Sequence, residues 1–463
     1  MQQDALLRLL RTRPNLPAAE VRAALGISPP TLMRAVRAAG PSVLTLGKAR
    51  RTAYAARRPL RGSFQPLPVF RIDEQGHYDQ VADLDLAEPH GSCLTWSAPC
   101  PWPLDDSMQD GWFEGLPYFL QDLRPAGFLG RAFARAHATA LELGEDPKLW
   151  SEEDALLAMS KFGEDPVGNL LLGRVALQKW LAQLQNPVRP LEEAELAKGY
   201  ATRADQAMAG GLPGSSAGGE FPKFTATRDG QGTALKVLVK FSGSDQSPGS
   251  RRWSDLLICE HLAAQTLNRE LGIAAAQTRV LQSAGRTFLE VARFDRHAAH
   301  GRSAVCSWEA INYAWFGFAG RSWPDGATLL LARNRIEAAT AQTIAQLWHF
   351  GKLIGNSDMH DGNLSFRPHR ILGKPAFALT PAYDMLPMLY APTRGVELPL
   401  VTFQPTLPLP TERDDWLKAA RAASVFWEQT AADQGISPEF RQICAENLQC
   451  LRNLTRLAGG NAS

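Results

Sequence analysis

Gly355-Asn356-Ser357-Asp358-Met359-His360-Asp361-Gly362-Asn363-Leu364-Ser365-Phe366 is a polar stretch set in otherwise apolar sequence. An apolar run with helical spacing, 344–354, precedes it, and a short strand-like run, 376–379, follows. A second polar pair, Tyr383-Asp384, comes directly after that run. An Asp, an Asn five residues on and a further Asp after a strand supply what phosphoryl transfer from a nucleotide requires. One carboxylate, Asp358, orients the nucleophile, while the amide oxygen of Asn363 and the carboxylate of Asp384 hold magnesium. The spacing alone also arises by chance, and a polar loop whose Asp and Asn cap turns has the same look.

At 463 residues the chain exceeds one ordinary core, so two or three domains are expected. Its 45% apolar and 21% charged content are those of a globular protein rather than a disordered or fibrous one. No apolar stretch is long enough to span a bilayer, and Met1-Gln2-Gln3-Asp4 does not begin a signal sequence, so no membrane association is expected. The six cysteines are scattered, with no C-x-x-C, which reads as reduced thiols in a cytoplasmic protein.

The net charge of +2 hides an asymmetry: residues 1–62 carry twelve Lys or Arg against two acids, Asp4 and Glu20. A basic head on a mildly acidic body points to an anionic polymer as partner. Leu6, Leu7, Leu9 and Leu10 mark a first helix ending near Pro14; 19–25 makes a second, closed by Gly26. Ser28 and Pro29 then open a third, 31–39, which would present Thr31, Arg34 and Arg37. Two short strands, 43–46 and 52–55, flank Gly47-Lys48-Ala49-Arg50-Arg51 like a wing with a cationic tip. Helix-turn-helix with wing predicts DNA binding through Thr31, Arg34, Arg37, Lys48, Arg50 and Arg51, with a dimer as the usual state. A basic cap that contacts protein has the same pattern. Arg57, Arg58 and Arg61 read either as an extension of the phosphate contact or as a solvated linker.

From Gly62 the composition changes. Alternation over 64–81 predicts a hairpin, and 128–143 and 152–184 are expected to be helical. Asp154, Asp165 and Arg174 read as surface or capping residues. Residues 201–300 suit a nucleotide-binding lobe. A Gly-rich segment, 210–219, leads into strands 221–227 and 233–241 around the turn Asp229-Gly230-Gln231-Gly232. The second strand places Lys236, Leu238 and Lys240 on one face; Lys240 is the candidate nucleotide lysine and Lys223 a second phosphate contact. A helix over 253–271 supplies Glu260 as a partner for Lys240, and a strand over 287–294 runs into a hinge for adenine. Beyond the polar loop, 401–410 is Pro-rich, and 412–434 and 438–457 read as helices that pack through Trp416 and Trp427.

Several of these segments resemble the HipA-like serine/threonine kinases, the toxin components of bacterial toxin–antitoxin pairs. They are Ser-Ser-Ala-Gly-Gly at 215–219, Leu-Val-Lys at 238–240, the helix with Glu260, Arg-Phe-Asp-Arg at 293–296, the Asn-Ser-Asp-Met-His-Asp-Gly-Asn loop, and Pro-Ala-Tyr-Asp at 381–384. Glu-Gly-Leu-Pro at 114–117 is similar to the family's N-terminal subdomain. The resemblance covers roughly residues 63–450, and the basic head looks like the subgroup with a helix-turn-helix fused in front.

The implied fold is α+β: a bilobal protein-kinase-like fold with an α-rich C-terminal lobe, preceded by a small winged helix-turn-helix domain. The domains would be 1–61, DNA-binding; 62–198, the N-terminal subdomain and connecting helices; 199–300, the nucleotide-binding lobe; and 301–463, the catalytic lobe. By resemblance, Asp358 is the catalytic aspartate and Asn363 and Asp384 are the Mg²⁺ ligands. The ATP site would comprise Ala217, Gly218, Gly219 and Lys223 on the phosphate loop, Lys240 with Glu260, the hinge at Ala292 and Phe294, and His360 and Tyr383. Ser215 or Ser216 falls where the family carries an autophosphorylated serine, which would switch the kinase off by ejecting the loop. The implied partners are a protein substrate and an antitoxin.

Two positions depart from the family. Gly362 stands where a Lys usually precedes the Asn, removing a cation from the transferring phosphoryl group. The phosphate loop reads Gly-Gly-Glu-Phe-Pro-Lys instead of the commoner Gly-Ala-Gln-Glu-Lys. The expected function is therefore a toxin-type kinase that regulates growth. The alternative is a DNA-binding transcriptional regulator with a nucleotide-sensing, catalytically weak body. A third reading is a metal-dependent nuclease using Asp358, His360 and Asp384.

Overall fold

The computed structural model describes residues 2–209, 221–317, 320–393 and 397–459. They form two compact units: 1–125 with 134–187 and 301–306, and 126–133 with 188–300 and 307–463. Among the described residues no helix is long and apolar enough to cross a membrane.

The first unit begins with three helices, α1 (Gln2–Thr12), α2 (Ala18–Leu25) and α3 (Pro29–Ala39), then strands β1 (Val43–Leu46) and β2 (Ala53–Arg58). Gly26 caps α2 at φ 62°, a left-handed conformation that glycine adopts without steric cost. Leu6, Leu10, Val21, Leu32, Ala35 and Tyr54 close a core that belongs to the head alone. Strand β2 does not end there. It pairs with β1 at one end and with β4 (Tyr78–Ala87) at the other, through Arg57 opposite Ala87 and Arg58 opposite Leu86. Strand β3 (Leu67–Ile72) forms the expected hairpin with β4, and β5 (Ser92–Trp96) extends it.

Arg57 and Arg58, expected either to extend the phosphate contact or to lie in a solvated linker, belong to strand β2 and are held in ion pairs, while Arg61 follows in an exposed turn. Arg57 bonds to Asp85, Arg58 to Glu152 and Glu153, and Arg61 to Asp154. Asp154 also completes the capping box of its helix with Ser151, as a capping role predicts. The single helix expected over 152–184 is two. Helix α5 (Glu152–Phe162), which follows α4 (Gly127–Leu141), stops at Gly163. Strand β6 (Leu170–Leu172) then pairs with β3, and α6 (Gly173–Gln185) starts afresh. Gly168 and Gly173, at φ 76° and 79°, make the break.

The second unit opens with α7 (Glu193–Ala209) and an antiparallel sheet of β7 (Lys223–Asp229), β8 (Ala234–Phe241), β9 (Thr278–Ser283) and β10 (Arg286–Ala292), in the order β9-β10-β8-β7. Val237, Val239 and Phe241 pack with Tyr200 and Leu196 of α7 on one face. Strand alternation therefore turns Lys240 to the other face, toward α8 (Pro248–Glu270). Helices α9 (Trp308–Phe316), α10 (Trp323–Ala332), α11 (Ala338–Leu353), α12 (Arg413–Ala432) and α13 (Pro438–Leu457) make the α-rich remainder. Trp416 and Trp427 are buried there as expected, and Trp427 Nε1 donates to Leu353 O at 3.0 Å. A hairpin, β11 (Ser365–Ile371) with β12 (Lys374–Leu379), follows the polar loop.

Candidate active site

Two chain segments meet at the site. Helix α11 delivers the loop 355–364, and β12 leads to Tyr383-Asp384. Ala382 is tied to the sheet side by backbone bonds: Ala276 N–H donates to Ala382 O at 2.9 Å and Ala382 N–H to Ala274 O at 2.8 Å. Asp384 follows at φ 56°, a left-handed conformation that costs a non-glycine residue about 1–3 kcal/mol and persists where surrounding contacts demand it.

Lys240 is the centre of charge. Its Nζ donates to both oxygens of Glu260, at 2.7 and 2.8 Å, and to Asp384. Lys240 and Glu260 are each only 3% exposed. Burial opposes the charge on Lys240, but Asp384 and Glu260 outweigh it and push the ammonium above its ordinary pKa. Burial also raises Glu260, with Asp384 repelling and Lys240 only partly compensating. For Asp384, burial pulls upward, yet Lys240, Lys223 and His360 together hold its carboxyl below the usual carboxylate range. Lys223 pairs with Lys240 across β7 and β8, so both lysines lie on the site face of the sheet.

The loop is pinned by side-chain amides. Asn363 Nδ2 donates to Asp358 O at 2.8 Å. His360 Nδ1 accepts from Gly362 N–H at 3.0 Å, and Tyr383 Oη donates to Gly362 O at 2.9 Å. Asp358 itself is exposed. A Cβ built on Gly362 would lie 2.9 Å from the His360 ring, so the imidazole occupies the space that a side chain at 362 would enter. Phe294 and Tyr383 rings stand 5.9 Å apart. At the expected hinge, Ala292 N–H is spent on Gln277 O and Arg293 N–H on Lys236 O. Those two donors are therefore engaged within the protein. Ser215, Ser216, Ala217, Gly218 and Gly219 lie outside the described residues.

One residue escapes a reading by spacing. Asn356 is buried, accepts from Asp358 N–H through Oδ1 at 3.0 Å, and donates through Nδ2 to Asp384 O at 3.3 Å. A single amide thus ties the two aspartate backbones together. Asn312 of α9, also buried, donates to Asp361 Oδ2 at 2.8 Å and steadies the loop from its other side.

In the head, Arg34 and Arg37 of α3 are exposed, and so are Lys48 and Arg50. Thr31 is half-buried and is bonded to Ser28 and Arg34. Arg51 departs from the expected phosphate tip. Its guanidinium is held by Asp110 of the same unit, at 2.7 and 2.8 Å.

Residues 63–181 match the family described as YjjJ-like toxin, middle domain, and residues 215–452 match the HipA-like C-terminal domain. The chain is 41% identical over 455 residues to Toxin YjjJ of Escherichia coli (strain K12), covering 97% of each. Among solved structures, HipA of Shewanella oneidensis MR-1, determined with HipB and operator DNA, superposes with a TM-score of 0.50 at 14% identity. That match covers 84% of this chain and 97% of the other, and it extends the likeness to the fold. The chain belongs to the HipA-like toxin family.

Proposed function

We propose that this protein is a serine/threonine kinase that transfers the ATP γ-phosphate to a protein hydroxyl and acts as a toxin-type regulator of growth. The observation that carries the proposal is Lys240 bonded at once to Glu260 and Asp384. A strand lysine paired to a helix glutamate and beside an aspartate that follows a second strand is the arrangement that positions nucleotide phosphates. Lys240 and Lys223 give the site the cations that Gly362 does not. Asp358, exposed on the loop and fixed at its N–H and C=O by Asn356 and Asn363, would receive the proton of an incoming hydroxyl.

The residues fit magnesium of the kind that relies on few protein ligands. Among the described residues no three His, Cys, Asp or Glu side chains stand close enough to share a metal. Asp384 with Asn363 would hold Mg²⁺ alongside the substrate phosphates, and the ion would neutralise charge on the transferring group. The nuclease reading, by contrast, needs Asp358, His360 and Asp384 as a common ligand set.

The basic head supports a second activity, DNA binding through α3, with Arg34, Arg37, Lys48 and Arg50 toward phosphates or bases. An antitoxin partner and a homodimer are proposed on the same footing. Transfer from labelled ATP with Mg²⁺ tests the kinase. Label is expected on the protein itself or on a protein of a cell extract, and Asp358→Asn should abolish it. Absence of label with ATP still bound would instead support the nucleotide-sensing regulator.

A further inference from the structure

A cleft of about 290 Å³ opens in the second unit and shares no lining residue with the Lys240 site. It lies among the first turns of α8 and α13, Ser242-Gly243 beyond β8, and Gly285 in the turn between β9 and β10. Two arginines are among its lining residues, Arg251 and Arg441. Arg441 Nη1 donates to Gln434 Oε1 at 2.9 Å, while its Nε is buried with no hydrogen-bond partner among the described residues. Arg251 is exposed and has no acidic partner among them.

The neighbouring carboxylates are already engaged. Asp255 accepts from Ser437 N–H and Oγ–H at 2.7 and 2.6 Å and faces Arg252 at 3.9 Å. Asp245 accepts from Ser247, and Asp433 from Gly435 N–H at 2.7 Å. Asp245, Asp255 and Asp433 thus have donors of their own, Glu439 is an exposed carboxylate beside Asp255, and neither arginine of the cleft is paired with an acid among the described residues. Guanidinium forks match phosphate oxygens in geometry. The volume sits at the lower end of ligand pockets, roughly 300–1,000 Å³, which leaves room for a phosphate with a small organic group.

We propose that this cleft binds a small phosphate monoester through Arg251 and Arg441, as a site separate from the nucleotide. Arg251 and Glu260 lie on one helix, nine residues or about 14 Å apart along its axis, so an occupant would grip the helix that carries the partner of Lys240.

Thermal unfolding of the full chain tests this, with ribose 5-phosphate, inorganic phosphate or ribose added at matched ionic strength. Ribose 5-phosphate should raise the midpoint saturably, and ribose should not. The rise should vanish in Arg251→Gln/Arg441→Gln and survive in part in the double Lys variant. If the double Gln variant is itself poorly folded, Arg251→Gln alone, at an exposed position, must still weaken the response. A response to inorganic phosphate equal to that of the sugar phosphate would name free phosphate as the occupant of the same site. No response to either, or an undiminished response in the arginine variants, overturns the proposal. Neither ATP nor Asp358 enters the readout, so its failure would leave the kinase reading as it stands.

Discussion

Lys240 is almost out of water and has two carboxylates on its ammonium, so three charges depend on one another. Lys240→Met would leave Glu260 and Asp384 without the ammonium that bridges them, with Lys223 as the lysine that still faces them. Breaking a buried pair in this way costs about 3–5 kcal/mol. Without the lysine both carboxyls favour the protonated form, so the deficit should shrink as pH falls; unfolding at neutral and mildly acidic pH checks this. In the intact protein the two acids pull in opposite directions. The depressed pKa of Asp384 stabilises the fold above the ordinary carboxylate value and is lost as pH falls through the depressed one. Glu260, raised, contributes below its ordinary value and loses that share as pH rises through the raised one. Asn356 acts by position instead. Asn356→Ala should lower the rate of label transfer about 10²-fold with a much smaller effect on ATP affinity, as expected when reacting groups are misplaced by an ångström. Lys240 and Glu260 were legible because strand alternation and helix spacing are local. Asn356 was not, although it stands in the stretch that decided the fold: its bond to Asp384 O spans 28 residues of chain and exists only once both segments are folded.

Among elements, the three head helices and both wing strands follow from local signals: a leucine pattern, Gly26 at a helix end, Pro29 at a helix start. The break between α5 and α6 follows from local signals too, since Gly163, Pro166, Gly168 and Gly173 were all visible; apolar spacing on either side masked them. What spacing did not give is the partner of Arg51, which is far from it in sequence. Arg51 sits at the wing tip, but Asp110 holds it. If α3 carries the DNA contact, Arg34→Ala and Arg37→Ala should each reduce the slope of log affinity against log salt by about one, and Arg51→Ala should change it less. Salt titration of DNA binding separates the three.

For the whole molecule, family membership and the HipA fold follow from the comparisons, whereas the chemistry rests on the geometry of a few side chains. The two compact units do not coincide with a head set apart from everything else: 1–125 falls within one unit. This is because β2 is shared between the wing and the following sheet, and Arg57, Arg58 and Arg61 find acids on that side. A protease that cuts after arginine would ordinarily find residues 57–61 an inviting place to release a DNA-binding fragment. Backbone held in a sheet and side chains held in ion pairs make poor substrates, because cleavage needs the segment to open first. Limited trypsin digestion should therefore spare the bond after Arg57, which lies within β2, and the Asp85→Asn variant should be nicked there sooner.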